Sequence, residues 1–316
     1  MTKRQTQILF PALALFAVAA ACLAQRGFGG RGFGGGRNSS GPIYYTEGRE
    51  PVDERTVKTA REVPSHSTGT PAWTNQPGFS RDTFTFVRII RDRDPTDYSR
   101  AGSWITDFPD SDLNLSYRVQ QMTSIRTDPD GFIVRLTNPA LFDYPWIYMV
   151  EPGSLVLRDE EVPILRKYLL NGGFLMADDF WGEWQWEKFY RQMKRVFPER
   201  EFTELPMDHP VFHSVFDLKV PKNKLQTPNK RIGASERGEI TWERHIQKDG
   251  TIEECREMHV RAMTDDKGRM MVIATHNTDN GDGWEREGED DFFFHEFSEK
   301  RAFPLGINII FYAMTH

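Results

Sequence analysis

The chain has 316 residues, of which 38% are hydrophobic and 13% aromatic, a composition that excludes a wholly disordered protein and suffices for one sizeable core. Its formal net charge is −6. Residues 1–41 hold five basic side chains and no acidic ones, so residues 42–316 carry about −11. An acidic domain argues against nucleic-acid binding, which depends on basic surface, and allows cationic, neutral or metal-bridged ligands.

Residues 1–24 have the pattern of a signal peptide. Lys3 and Arg4 precede an apolar stretch of 14 residues, and Ala24 fits the position before the cleavage site. This stretch is shorter than the roughly 20 residues that a membrane span needs. We therefore expect export to the periplasm, the outer surface or the medium, with no transmembrane span after cleavage. A lipid anchor at Cys22 is the alternative.

Residues 25–80 are predicted to form a Gly/Arg-rich low-complexity segment followed by a linker. Its RGG-like repeats are compatible with RNA binding. An exported chain would rarely meet RNA, so no nucleic-acid partner is expected. Residues 42–78 are interpreted as a linker or a loosely draped arm, in which Ile43 to Tyr45 could add an edge contact. The folded domain is expected over residues 81–316.

This domain alternates predicted strands and helices, which indicates an α/β fold around a mostly parallel sheet. Short apolar runs predict strands at residues 84–90, 132–136, 146–150, 174–177 and 270–274. Helical spacing predicts helices that follow Asp112 and Asp159 as N-caps, and further helices over residues 183–196 and 304–314. Residues 199–266 have few core positions and contain a charged insertion, residues 219–266.

Several phrases along residues 82–315 resemble, in order and spacing, the bacterial domain of unknown function family 4159. They are WITDFPDSDLNLSYRVQQMT, RKYLLNGGFLMADDFWGEW, DHPVFHSVFDLK, NTDNGDGWE and FPLGINIIFYAM. The resemblance implies a flavodoxin-like three-layer sandwich, similar to class I glutamine amidotransferases and trehalose-utilisation-like proteins. The family carries no settled reaction, so the resemblance transfers no catalytic residue.

Class I glutamine amidotransferases place a reactive cysteine on a tight turn between a strand and a helix. The comparable stretch here, residues 176–182, reads MADDFWG and has acids at the turn. Cys255 lies in the charged insertion without flanking glycines. The sequence therefore argues against glutaminase chemistry.

Asp178 and Asp179 end the strand predicted at 174–177, where open α/β sheets gather their sites. Either one could bind a divalent metal or act as a general base. Alternatively, one of them could cap the next helix. Adjacent residues of a strand point to opposite faces, so both could bind one ion only if the turn rotates one of them.

A polar loop, residues 276–284, follows the strand predicted at 270–274. His276, Asn277, Asp279 and Asp282 could hold calcium, although their spacing does not match an EF-hand, and His276 is also a candidate for catalysis. A turn cluster is the alternative. If the two strands share the sheet, this loop should lie near Asp178.

His209 and His213 are four residues apart, a spacing that on a helix would place both on one face, as in zinc sites. A turn with a buried, hydrogen-bonded histidine is the alternative. We therefore retain both as candidate metal ligands.

Several tryptophans lie among polar residues near these loops, namely Trp104, Trp181, Trp184 and Trp284. Aromatic platforms beside carboxylates commonly hold sugars. Packing between loop and sheet is the alternative. Trp146 and Trp186 are predicted to lie in the core.

Three functions remain open from the sequence. The first is an exported domain without a nucleophile that binds a carbohydrate or envelope ligand at the carboxyl edge of the sheet, through Trp181, Trp184, Asp279, Asp282 and Trp284. The second is a hydrolase that activates water with a divalent metal or a carboxylate, using Asp178 or Asp179, His276 and the 276–284 loop. The third is a partner protein that binds another protein through residues 219–266.

Overall fold

The computed structural model describes residues 42–67, 69–76, 82–95, 102–230, 240–247 and 249–316. The predicted signal peptide, Cys22 and the Gly/Arg-rich residues before position 42 lie outside these ranges. Within them, no helix combines the length and the apolar character that crossing a membrane requires.

The strands are short and are numbered in chain order. They are β1 (Ile43–Tyr45), β2 (Pro51–Asp53), β3 (Val87–Ile90), β4 (Asp92–Arg93), β5 (Phe132–Arg135), β6 (Trp146–Val150), β7 (Leu155–Val156), β8 (Phe174–Asp178), β9 (Thr203–Glu204), β10 (Arg244–Ile246), β11 (Ile252–Glu254), β12 (His259–Thr264) and β13 (Met270–His276).

The described residues contain a central seven-stranded sheet with the order β5-β3-β6-β8-β13-β12-β9. The first five of these strands are parallel neighbours, whereas β12 is antiparallel to both β13 and β9. Strands β6, β8 and β13 are buried along their whole length, as expected for parallel strands that are covered on both faces. The prediction of an α/β fold with a mostly parallel sheet is confirmed.

Helices cover both faces of this sheet. They are α1 (Asp110–Met122), α2 (Glu161–Leu170), α3 (Gly182–Val196), α4 (Asn280–Glu285), α5 (Asp291–Phe293) and α6 (Phe303–Thr315), the last preceded by a π-helical segment (Phe294–Ala302). On one face, Leu115 of α1 and residues of α6 pack in a cluster with Tyr148. On the other, Leu165 of α2 and residues of α3 pack with Met149. Successive residues of β6 thus enter opposite cores, which follows from the two-residue period of a strand.

Both predicted N-caps are wrong. Helix α1 begins at Asp110, and Asp112 lies inside its first turn, where the carboxylate accepts hydrogen bonds from buried Arg88. Helix α2 begins at Glu161, while Asp159 forms an exposed ion pair with Arg195 at 2.6 Å. In both cases, the carboxylate that was predicted to cap backbone N–H groups interacts with an arginine instead.

The arm, residues 42–67, was predicted to be either a linker or a loosely draped segment, and in the structure it packs on the domain. Strands β1 and β2 pair antiparallel. Tyr44, Val52 and Val63 form a third hydrophobic cluster with Trp104, whose ring centroid lies 5.2 Å from that of Tyr44. The arm therefore contributes to the core.

The charged insertion also contributes to the sheet, which corrects the expectation of few core positions there. In β12, Val260, Ala262 and Met263 are buried. Strands β10 and β11 form a separate hairpin. Cys255 is a free, buried thiol whose pKa is raised by burial.

Candidate metal centre

Three parallel strands deliver polar residues to the carboxyl edge of the sheet through sharp turns. Glu151 follows β6 with φ 47°, Asp179 follows β8 with φ 58°, and Asn277 follows β13 with φ 59°. Asp107, in the connection after β3, has φ 60°. Non-glycine residues adopt this left-handed backbone at an energetic cost, and such residues concentrate at functional sites.

Three carboxylates at this edge of the sheet lie close together. Asp107, Asp179 and Asp279 each offer an oxygen that lies within 4.8 Å of the other two. Their relative exposures are 1%, 5% and 1%. We call these three residues the acid triad. They come from separate connections, after β3, β8 and β13, so the triad exists only when the sheet is assembled.

The three carboxylates are unequally satisfied. Asp179 Oδ1 accepts a hydrogen bond from Trp181 Nε1 at 2.9 Å, and Asp279 Oδ1 accepts one from the backbone N–H of Asp282 at 2.7 Å. Asp107 Oδ2 is buried and has no hydrogen-bond partner among the described residues. A buried carboxylate oxygen without a partner is costly.

Electrostatics favour a proton or a cation at each member of the triad. Burial, and then the charges of Glu285 and Asp282, raise the pKa of Asp107 well above its usual value. Burial and the charge of Asp179 do the same to the pKa of Asp279. Within the described ranges, no arginine or lysine forms an ion pair with a triad member.

Asp179 has further acidic neighbours. Burial, and then the charges of Glu151 and Glu243, raise its pKa well above the usual value. Burial also raises the pKa of Glu151 to about 7, against the opposing charge of Arg91. Negative charge is thus concentrated around Asp179 on more than one side.

A neighbouring acidic group already has its cation. Asp282 and Glu285 could form a second cluster with Asp107. However, Arg286 Nη2 lies 3.1 Å from Asp282 Oδ1 and 2.9 Å from Glu285 Oε2. His66 Nε2 lies 2.7 Å from Glu285 Oε1. The positive charges of Arg286 and His66 compensate the negative charges of Asp282 and Glu285. Among the described residues, no cationic side chain does the same for the acid triad.

Asp178 has a structural setting that differs from that of Asp179. It accepts hydrogen bonds from the backbone N–H groups of Asn280 at 3.1 Å and Gly281 at 3.2 Å, and from the Tyr148 hydroxyl at 3.2 Å. Burial raises its pKa to about 6, against these hydrogen bonds. Asp178 therefore ties the start of α4 to β8, and the predicted proximity of this loop to Asp178 is confirmed.

His276 is buried between aromatic rings. Its ring centroid lies 5.0 Å from that of Phe180 and 5.5 Å from that of Trp186. The Nε2 atom hydrogen-bonds the carbonyl of Gly182 at 3.1 Å. Burial, and then the charge of Arg261, lower the pKa of His276 well below its usual value. The imidazole therefore packs between Phe180 and Trp186 of α3, in surroundings that disfavour its charged form.

The structure places His209 and His213 on either side of a single 3₁₀ turn, Pro210–Phe212. His209 Nδ1 accepts a hydrogen bond from the backbone N–H of Val211 at 3.2 Å. His213 bonds the Met207 carbonyl at 2.8 Å and Asp217 at 2.7 Å. The structure thus contains the predicted turn, but the expectation of a buried histidine is wrong, since His209 is half-buried and His213 is exposed.

Most of the candidate platform tryptophans are packed among protein atoms. Trp104, Trp181 and Trp284 are at most 3% exposed, and Trp284 Nε1 donates to the Ala302 carbonyl. Trp184 is half-buried on α3. The packing alternative therefore holds for the first three. Trp181 retains a role at the site because its indole N–H holds Asp179.

Sequence reasoning missed Asp107 and the residue that supports its loop. Buried Arg88 donates to the carbonyls of Trp104 and Thr106, each at 2.9 Å, and binds Asp112 through Nε. Arg88 thus fixes the backbone that presents Asp107. The sequence feature that could have indicated Asp107 is the run WITDFPD, which contains this residue and follows the first predicted strand.

A family model with the description "Domain of unknown function (DUF4159)" matches residues 88–314. The chain belongs to the DUF4159 family. The matched range includes the whole acid triad and Arg88 but leaves out the arm. Among curated proteins, no match to the chain was found. The DUF4159 family itself assigns no reaction, so the chemistry of the site carries the functional argument.

Proposed function

We propose that this DUF4159 chain binds a divalent cation at the acid triad, and that the function of this site requires the bound cation. The observation that carries the proposal is Asp107 Oδ2, an oxygen that is buried, lacks a partner and belongs to a carboxylate that faces two others. A cation would satisfy this oxygen and remove the repulsion between the three charges.

The ligands favour a hard cation of the magnesium, calcium or manganese class. All three side chains offer carboxylate oxygen, which these ions prefer over nitrogen or sulfur. Trp181 and the backbone N–H of Asp282 donate hydrogen bonds that hold two of the carboxylates, an arrangement common around metal ligands.

The test is thermal unfolding of the full chain after treatment with EDTA, with and without Mg²⁺, Ca²⁺ or Mn²⁺. An ion at about 100 times its Kd adds roughly 2.7 kcal/mol to the free energy of unfolding. In a domain of this size the midpoint rises by about 5–10 °C. Asp107→Asn should abolish this rise without lowering the midpoint of the metal-free protein, because it removes one of three repelling charges.

Asp110→Asn is the matched control, since Asp110 is also buried but is hydrogen-bonded to His66 and Ser65. This variant should melt at a lower temperature and keep the full metal-induced rise. If none of the ions shifts the midpoint, or if Asp107→Asn keeps the shift, the proposal is wrong.

The strand order supports a flavodoxin-like placement of the domain, which forms part of the proposal. Taken in chain order, the five parallel strands occupy the positions 2-1-3-4-5, the order of flavodoxin-like sheets, which bind ligands at their carboxyl edge. Likeness to class I glutamine amidotransferases would place Asp179 at the turn that carries their nucleophile. Export by residues 1–24 also remains a proposal, and secretion of a reporter fused to them would test it.

Metal-assisted hydrolysis is the second candidate function. It is favoured by the position of Asp179, which occupies a strand-to-helix turn with φ 58° immediately before α3. A cation there would lower the pKa of bound water. Ester, amide and glycoside substrates should be screened with the metal-loaded chain, and activity that survives in Asp179→Asn would exclude this site.

A further inference from the structure

A groove of about 1080 Å³ lies at the β12–β9 edge of the sheet. Its walls come from α3, from residues around β9, from residues 221–223 and from residues 256–261. The described residues that line it include no member of the acid triad. We call it the edge groove. Its volume matches the upper range of small-molecule sites, roughly 300–1,000 Å³.

One wall of the edge groove is aromatic. Trp186, Tyr190 and Phe202 line it and are each half-buried. Trp186 and Phe202 pack edge to face with ring centroids 5.3 Å apart. A face of Trp186 is covered by Arg261, so Tyr190 and Phe202 are the rings that offer apolar surface to the C–H groups of a sugar.

The edge groove has one more cationic than acidic lining side chain, although the domain as a whole is acidic. Lys222, Arg256 and Arg261 line it together with Glu204 and Glu257. Despite burial, hydrogen bonds from His259 and Lys222 lower the pKa of Glu204 to about 2, so this carboxylate is charged. Lys222 and Arg261 share Glu204 as their counterion, and Arg256 pairs with Glu254, so an anionic ligand binds by competing with these carboxylates for the cations.

Arg261 is held in a position that suits anion binding. Its guanidinium carbon lies 4.0 Å from the centroid of the Trp186 ring. Its Nε atom is 3.3 Å from Glu204 Oε2, and its Nη1 atom is 3.4 Å from His276 Nδ1. Within the described ranges no hydrogen bond engages Nη2. A planar, pre-oriented guanidinium is the side chain best suited to a carboxylate or sulfate.

We propose that the edge groove binds an acidic oligosaccharide. Arg261 and Lys222 bind its anionic groups, and the aromatic wall contacts the C–H surface of its sugar rings. This site is separate from the cation site and from the tryptophans near the carboxyl edge, so it does not depend on the proposed function.

The test is isothermal titration calorimetry with the full chain in EDTA, which removes any contribution from a bridging metal. The probes are trigalacturonate, neutral maltotriose and a sulfated disaccharide. We expect an acidic saccharide to bind at least tenfold more tightly than maltotriose, with an affinity that falls as salt rises. Binding of the sulfated probe alone would support the site and identify sulfate as the preferred anion.

Arg261→Met and Lys222→Met should each weaken binding of the acidic saccharide about tenfold or more. The matched control is Arg191→Met, which removes a cation from α3 that is 66% exposed and does not line the groove. Melting temperatures establish that each variant is folded. If Arg261→Met does not fold, the test depends on Lys222→Met. Equal binding of neutral and acidic probes, no binding at all, or an equal loss in Arg191→Met would overturn the proposal.

Discussion

Asp107 and Asp110 are three residues apart and equally buried, yet they have opposite electrostatic environments. Asp107 faces other carboxylates, and its pKa is raised by burial and by their charges. Asp110 is buried too, but hydrogen bonds from His66 and Ser65 lower its pKa below the usual value. Identical side chains therefore act as a candidate cation ligand and as a structural anchor for the arm.

His66 provides a pH-dependent test of that anchor. Burial would lower its pKa, but hydrogen bonds to Asp110 and Glu285 raise it to about 10. The resulting stabilisation is fully present below about pH 6.5 and is lost as the pH rises through the folded-state value. His66→Gln should therefore lower the free energy of unfolding by about 1–3 kcal/mol at pH 6 and by less at pH 10.

Urea unfolding of wild type and variant at both pH values measures this difference. His295→Gln is the control, because His295 is 63% exposed and pairs only within its own helical segment with Glu299. A His66→Gln effect that stays constant from pH 6 to pH 10 would rule out an ion-paired imidazolium.

Arg88 illustrates a buried charge that organises the candidate site. Arg88→Met should lower the free energy of unfolding by about 3–5 kcal/mol, because Asp112 then remains buried without its cation. Adding Asp112→Leu should recover part of the loss. Chemical denaturation of the two variants measures both effects, and a double variant no more stable than Arg88→Met would contradict this account.

Among the secondary-structure elements, strands with uninterrupted apolar runs could be predicted from the sequence. Segments that mix apolar and charged residues could not. Strand β6 coincides with its predicted range, and α3 begins one residue before its own. Strand β12 was missed because His259 and Arg261 alternate with its apolar residues inside a charged segment. The arm was missed because its buried residues are too widely spaced to show a period.

The candidate site was partly predictable for the same reason. Asp179 and Asp279 follow buried strands closely, so strand ends indicated them. Asp107 lies 17 residues after the end of β3, and only folding returns it to the sheet edge. The buried setting of Trp284 was also unpredictable, since the partners that enclose it come from distant segments, including Tyr148 and Ala302.

Helix α4 offers a test of the site that replaces none of the three proposed ligands. A methyl group at Gly281 would overlap Oδ2 of Asp107. Gly281→Ala should therefore displace this carboxylate and weaken cation binding about tenfold or more, as judged by the metal-induced rise in melting temperature. Gly283→Ala, whose methyl group would instead meet Ala302, is the control for disturbed packing of α4. An equal loss of cation binding in both variants would argue against a specific role for Asp107.

At the scale of the whole molecule, the arm and the matched domain form one hydrophobic structure. Tyr44, Val52 and Val63 cover Trp104 and Phe108, which belong to the connection that carries Asp107. The arm also brings His66 to Glu285 of α4, and Glu47 to Arg286, which directly follows α4. Stability of the site therefore depends on residues that precede the family match.

Neighbouring tyrosines of the arm test this dependence. Tyr44 is 5% exposed and Tyr45 is 37% exposed, on the same short strand. Tyr44→Ala should lower the free energy of unfolding by about 3 kcal/mol through loss of buried surface, whereas Tyr45→Ala should change it by less than about 1 kcal/mol. Guanidinium denaturation measures both, and two equally mild variants would mean that the arm is not part of the core.

The deep burial of the acid triad has a kinetic consequence. Because its members are at most 5% exposed, the cation that we propose could enter or leave only when the surrounding loops open. The rate of ion exchange is then limited by the frequency of that opening and not by the strength of the oxygen contacts. A chelator should strip the protein slowly and at a rate independent of chelator concentration, and mild warming or low urea should accelerate the release.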